Sequence, residues 1–397
     1  MSETRPSAPL LTDPNLYVVF SVTLMAVLGV ASVTPAFPSI SAELGVSPQQ
    51  VGLLISVFTV PGVVLTPGLG VLADRYGRKR VLVPSLFTFA IAGAACGFAR
   101  DFEALLALRA LQGVGAAALG AINVTIIGDL YDAARRTTAM GYNAGVLSFG
   151  TALYPAIGGA LASLAWYAPF FLPVVAVPVG VVVMVVLRNP TPKSEGHLGA
   201  YLRDALRIMR RRESLVMFAA SVVTFVLIYG AYLSYFPFVL ERSFGLSELW
   251  IGLVMASTSI STAFGAFGLG RLARRFGERR LIVTGYALYV VALAAIPFAR
   301  WLPLLLVAIL VFGFANGITI PSILAILSRI APPELRAVFM SVNGMVLCLG
   351  QTLGPILAGA VYAAFGIEAT FWVSAILAAG MLAALATTGS RDVRLAG

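Results

Sequence analysis

The chain has 397 residues, 59% of them hydrophobic and 11% charged, and a formal net charge of +10. A soluble protein carries about a quarter charged residues, so a water-soluble globule is excluded and the outside of this one must largely face lipid. Its positive charge does not point to nucleic acid, because the basic residues gather in short clusters between apolar runs and do not alternate with aromatics on one face.

Taken in order, the apolar runs long enough to cross a bilayer, about twenty residues each, lie near 16–40, 50–73, 81–99, 103–128, 137–162 and 168–187, then 214–240, 248–271, 281–299, 302–328, 337–362 and 369–388. The first fifteen residues are polar and lack the order of a cleavable signal, so the first run is expected to remain as an anchor. An even number of spans puts both termini on one side. Of the 27 Lys and Arg, only Arg100, Arg242 and Arg300 fall on the opposite side, and Arg109 lies inside the fourth span. The positive-inside rule then makes the termini cytoplasmic.

The longest polar break, 188–213, separates an N-terminal six-helix bundle (1–187) from a C-terminal one (214–397). Its start, Arg188-Asn-Pro-Thr-Pro-Lys, cannot continue a helix. Its second part spaces Leu198, Leu202, Ala205, Leu206 and Met209 as one apolar helical face, which predicts an amphipathic helix on the cytoplasmic membrane surface. His197, the one histidine, sits in this linker and reads as solvated. Cys96 and Cys348 lie in apolar runs and suggest neither a disulfide framework nor a metal site.

The two halves repeat at an offset of 200. Gly70-Val-Leu-Ala-Asp-Arg-Tyr-Gly-Arg-Lys-Arg80 returns as Gly270-Arg-Leu-Ala-Arg-Arg-Phe-Gly-Glu-Arg-Arg280. Asn143, Gly150, Pro155 and Gly159 return as Asn343, Gly350, Pro355 and Gly359. Six helices separate equivalent positions, so the halves share an orientation, and parallel repeats of this kind place a ligand site between them near mid-depth.

The stretch from Gly70 to Leu82 resembles the loop signature of the major facilitator superfamily. Leu105, Arg109, Gln112, Gly113, Gly115, Ala116 and Ala117 look like its helix 4 signature. Gly150-Thr-Ala-Leu-Tyr-Pro-Ala-Ile-Gly158-Gly159 is similar to the helix 5 signature of its drug/proton antiporter branch, except that Tyr154 stands where that signature has Gly. The resemblance implies an all-α membrane protein of twelve transmembrane helices in two pseudo-symmetric six-helix bundles. It also implies that Gly70, Asp74, Arg75, Gly77, Arg78 and Asp129 form a conformational latch, with helix 11 as the partner of Asp74. Arg274 replaces Asp74 in the second half, so the latch cannot be symmetric.

Arg109 is the sharpest single residue, since a charge at depth costs at least ~2.5 kcal/mol on insertion scales and needs a polar cavity or a partner. Gln112 lies on the same helical face. The resemblance gives Arg109 a part in proton coupling or in ordering the cavity; the bland alternative is snorkelling to the outer surface beside Asp101 or Glu103. The glycines and prolines of helices 5 and 11 (Gly150, Pro155, Gly158, Gly159, Gly350, Gly354, Pro355 and Gly359) are candidates for close helix packing, and Gly70 for close approach beside Asp74. Tyr154 is expected to narrow that seam or to put a hydroxyl in the cavity.

None of the seventeen Asp and Glu residues lies at the middle of a span. The cavity is instead expected to offer Arg109 with neutral candidates Asn123, Asn143, Tyr154, Tyr229, Tyr232, Asn316, Asn343 and Gln351, which favours a neutral or anionic amphiphile over an organic cation. The reading is a secondary active transporter, a proton-coupled exporter of small lipophilic or amphiphilic compounds in a bacterial cytoplasmic (inner) membrane. It is expected to work as a monomer by alternating access, without cofactor or metal. The alternatives are uptake or export of an organic anion, sugar or lipid-like solute, and, more remotely, a non-transporting receptor. A membrane enzyme would need a buried nucleophile with its base, or a metal cluster, and no span offers one.

Overall fold

A computed structural model describes residues 10–187, 207–332 and 336–392; most of the expected amphipathic linker helix, and His197, lie outside the described residues. Every regular element among the described residues is helical. Twelve helices are long and apolar enough to cross a membrane. In the first half they are α1 (Pro14–Leu44), α2 (Pro48–Tyr76), α3 (Arg78–Cys96), α4 (Phe102–Leu130), α5 (Ala133–Ala162) and α6 (Ala168–Val186). In the second they are α7 (Arg212–Phe244), α8 (Glu248–Phe276), α9 (Glu278–Phe298), α10 (Leu302–Ile330), α11 (Arg336–Phe365) and α12 (Ile367–Asp392).

Local chemistry sets the ends. Asp13 caps α1, Asp101 caps α4 and Asp132 caps α5, each accepting a backbone N–H of the first turn. Ser47 and Gln50 form a capping box at α2. Gly77 and its repeat mate Gly277 join α2 to α3 and α8 to α9 at φ of 97° and 79°, a backbone region closed to most L side chains.

Two helices depart from regular geometry at related places. α1 tightens into a 3-10 turn at Thr34–Ala36, whereas α7 widens into a π-helix at Ile228–Tyr235. The buried apolar side chains form two clusters, one built from 16–187 together with Phe238, the other from 209–385. Helix crossings repeat between the clusters. Gly113 leaves room for the Phe58 carbonyl in the first half, as Gly313 does for the Thr258 carbonyl in the second.

The halves meet along two pseudo-equivalent seams. α5 packs on α8, where a side chain at Gly252 would run into the Pro155 carbonyl and one at Gly159 into the Glu248 carbonyl. α2 packs on α11, where Gly52 faces Pro355 (3.5 Å to a built Cβ) and Gly359 faces Gln49 (3.2 Å). Hydrogen bonds run across both seams. Ser56 Oγ donates to the Thr352 carbonyl (2.8 Å), Thr59 and Thr352 share their hydroxyls (2.8 Å), and Ser259 Oγ donates to the Thr151 carbonyl (2.9 Å). Ser39 of α1 also bonds Glu248 of α8.

All these contacts lie in the half of each helix farther from the basic loops around Gly77 and Gly277. Toward the basic side the halves part. A Cβ built at Gly68, Gly70, Gly141 or Gly344 meets nothing within 4 Å, and Phe267 on α8 is 96% exposed.

Candidate functional site

The space between the halves is roofed by the two seams and open toward the basic loops. Arg109 sits two turns into α4, 1% exposed. Its Nη1 donates to the Gly29 carbonyl of α1 (2.8 Å) and to Gln112 Oε1 (2.7 Å), its Nε to the Leu54 carbonyl of α2 (3.2 Å), and the guanidinium lies 4.3 Å from the centroid of the Phe58 ring. It therefore does not snorkel to the surface, where Asp101 is engaged in capping α4. Hydrogen bonds from a charged donor contribute about 1.5–3 kcal/mol each, so these neutral acceptors offset the cost of holding a cation at depth. The arrangement pins α1, α2 and α4 together. Gln112 turns its oxygen to Arg109, which leaves its buried Nε2 without a partner.

Several expected cavity residues lie elsewhere. Thr23 joins Asn123 and Asn143, donating to Asn143 Oδ1 (2.5 Å) and accepting from Asn123 Nδ2, so the two amides fasten α1, α4 and α5. Ser221 donates to Asn343 Oδ1 (3.1 Å) in the related corner of the second half, fastening α7 to α11. Asn316 accepts from the Tyr289 hydroxyl (2.5 Å). Tyr232 donates to the Met255 carbonyl (3.2 Å) and packs against Phe236 and Phe312 in the second core. Tyr154 is buried in the first core, its ring against Gly150. The physical reason is shared by most of these corrections: a polar group shut away from water takes the nearest protein partner, although Asn123 Oδ1 stays buried without one. Tyr229 and Gln351 remain half-buried. Tyr229 stacks on Phe225 and packs against the first core from across the junction.

The latch residues lie at the basic end. Arg78 Nε pairs with Asp129 Oδ2 at 3.1 Å, tying the start of α3 to the end of α4. Both partners belong to the first half, so this pair alone does not bridge the two. Arg75 is exposed beside Tyr76. Gly70 gives no close approach here, because the neighbouring helix ends have separated. The Asp74 side chain lies outside the described residues.

The remaining glycines and prolines sit at contacts. Gly150 meets Leu24 (2.8 Å to a built Cβ), Gly158 the Ser32 carbonyl, Gly350 the Val222 carbonyl (2.7 Å) and Gly354 the Gly230 nitrogen (2.8 Å). Sequence reasoning passed over the hydroxyl hubs Thr23 and Ser221 and the seam residues Ser39, Ser56, Thr59 and Thr352. Serine and threonine inside helices also bond their own preceding carbonyls, as Thr23 does with Val19 (3.1 Å), so they carry little signal in an apolar run. The offset of 200 between Thr59 and Ser259, both of which bond across a seam, was the available clue.

With this geometry in hand, the model of the Major Facilitator Superfamily matches residues 19–250 and 237–394. The chain belongs to the major facilitator superfamily. It is a membrane transporter of small molecules and not an enzyme. Multidrug resistance protein 2 of Bacillus subtilis (strain 168) is 26% identical over 356 residues, 87% of this chain and 88% of that protein. The bacillibactin exporter of the same organism is 26% identical over 378 residues, 92% of each. Quinolone resistance protein NorA of Staphylococcus aureus is 23% identical over 355 residues, 88% of this chain and 90% of that one.

Among solved structures, a bacterial homolog of the human lysosomal transporter Spinster, in an inward-facing and unoccupied conformation, superposes with a TM-score of 0.81 at 20% identity. The superposition covers 98% of this chain and 99% of that one. The human organic anion transporter MFSD10 (TETRAN) gives 0.72 at 22% identity, over 96% and 100%. These likenesses establish the fold.

Proposed function

We propose that this major facilitator exports small lipophilic or amphiphilic compounds, neutral or anionic, by alternating access driven by proton antiport. It works as a monomer in a bacterial cytoplasmic membrane, with both termini in the cytoplasm. The observation that carries the reading is the division of each seam into a packed part and a parted one. Gly159, Gly252, Thr59 and Thr352 are in contact across the halves, while Gly68, Gly141 and Gly344 of the same helices face open space. Two rigid bundles joined in this way open to one compartment at a time if they rock. Export is supported by the names of the relatives, two of which are resistance proteins and one an exporter.

The substrate class follows from charge. No carboxylate of the sequence sits at mid-span to attract an organic cation, and the cation buried at depth in α4, Arg109, is engaged by carbonyls and Gln112. Arg109 thus supports the cleft from behind, and an anionic solute would meet its field before its hydrogen bonds. For proton coupling, Glu248 is the carboxylate whose bond to Ser39 reaches across the halves, and we assign the coupling step to it. In everted vesicles, substrate flux should move with the pH gradient. A flux indifferent to pH removes antiport, and ligand binding without flux in sealed proteoliposomes leaves a receptor instead.

A further inference from the structure

A groove of about 510 Å³ lies where α1 meets α5, walled by Tyr17, Phe20, Leu24, Tyr142, Val146 and Phe149 and floored at Gly145. That volume is within the roughly 300–1,000 Å³ of small-molecule sites. Helical geometry fixes where it faces. Phe149 and Thr151 are two residues apart on α5, which is about 200° around a helix of 3.6 residues per turn, and the Thr151 carbonyl accepts from Ser259 of α8. The groove therefore opens away from the cleft, onto the lipid, at the depth of the leaflet on the side of the termini.

We propose that this groove holds one phospholipid of that leaflet, its acyl chain along Phe20, Leu24, Val146 and Phe149 and an anionic headgroup toward Arg135. The proposal rests on membrane embedding alone and is independent of what the cleft transports. Its polar end has the right chemistry. Tyr17 and Tyr142 are each about half exposed at the groove, rings that suit a membrane–water boundary. Arg135 lies seven residues before Tyr142, two turns down the same face of α5, at the basic surface. Asp13 and Tyr131 border it: the Tyr131 hydroxyl donates to Asp13 Oδ2 at 3.0 Å. Burial raises the Asp13 pKa, but its hydrogen bonds from Asn15 and Tyr131 and the nearby Arg135 charge together hold the carboxyl below the usual range.

The second half supplies an internal control. The matched pairs Thr23–Asn143 and Ser221–Asn343 set the offset at 198 for the first helix of each half and 200 for the fifth. At the related positions Leu215 replaces Tyr17, Val342 replaces Tyr142, Leu335 replaces Arg135 and Met345 replaces Gly145. The hydroxyls, the charge and the empty floor are lost together, as expected if they serve one ligand. A side chain at Gly145 has room to enter the groove, since a Cβ there meets nothing within 4 Å.

The test uses the full-length protein in anionic phospholipid-containing membranes, with the photoreactive amino acid p-benzoylphenylalanine placed at Phe149 and, as a lipid-facing control outside the groove, at Val185, which is 76% exposed. Adducts are identified by mass spectrometry. The expected result is a phospholipid adduct at 149 enriched in anionic headgroups about fivefold over 185, from the ~1 kcal/mol that one basic residue gives at an anionic surface. Gly145→Met should abolish that adduct, and Arg135→Gln should abolish the enrichment while keeping the adduct. The same lipid composition at both positions, retention of the adduct in Gly145→Met, or cross-linking of 149 to residues 1–9 would each overturn the proposal.

Discussion

The two halves share a backbone plan and fill it with different chemistry. The crossing of α2 on α4 at Gly113 is reproduced by α8 on α10 at Gly313. Around the first crossing stand Arg109, Gln112 and Phe89; at the related positions around the second stand Ile309, Phe312 and Tyr289. The first half is held there by a cation on carbonyls. The second is held by rings, with Tyr289 against Phe312 and Tyr286 and the Tyr286 hydroxyl on the Ala220 carbonyl (2.7 Å). The repeat preserves close helix approach, and the charge is confined to one side of the pseudo-two-fold axis. The charge-dependent hold at this crossing is thereby confined to the first half.

The largest effect is expected at Arg109. Arg109→Ala strands Gln112 and two carbonyls in a dry interior, at about 1–3 kcal/mol for each unsatisfied group. Thermal unfolding in detergent should show a large loss of stability, together with loss of transport. Arg109→Lys, with a smaller and non-planar head, should recover only part of both. If Arg109→Ala keeps wild-type stability, the pinning role is wrong.

On the aromatic side, Tyr289→Phe removes one hydroxyl and leaves Asn316 Oδ1 without its donor, for about 1–3 kcal/mol in the same assay. Transport should survive at temperatures where the variant is folded, because no charge is lost. Equal damage to transport in the two halves would erase the distinction between them.

Across the seam, Thr59→Val with Thr352→Val tests a single shared hydrogen bond, worth about 0.6 kcal/mol between membrane helices. A double-mutant cycle should return that coupling in the conformational equilibrium, read as thiol labelling from the two sides of the membrane. Asp13→Ala should cost about 1 kcal/mol through loss of the α1 cap. Because the folded carboxyl titrates below its ordinary value, its contribution is complete at neutral pH. The gap from wild type should close only as pH falls through that lowered pKa. A gap that stays constant into strong acid would deny the charged cap.

Much of the fold was legible because lipid imposes it. Apolar runs, basic flanks and the offset of 200 are properties of composition and spacing, and they specify twelve spans, their grouping and their relative orientation. The candidate site was legible only where chemistry is expensive. Arg109 announced itself as a cation at depth, and the glycines around Pro155 and Pro355 as contacts. The neutral polar residues were ambiguous, since an amide that lines a cavity and one that bonds a neighbouring helix look alike in sequence. Asn123, Asn143, Asn316 and Tyr232 took the second role. Gly70 differs for another reason: its packing depends on which end of the cleft is closed, and a sequence carries no state.

The reciprocal motion of the two ends of one seam is the most direct test. Spin labels at Gly141 and Phe267 report the parted end of α5 and α8, and labels at Leu164 and Trp250 the packed end. In proteoliposomes, adding a transported compound with a pH gradient should shorten the first distance and lengthen the second in the same population. Two distances that stay fixed, or that lengthen together, would contradict alternating access through these seams.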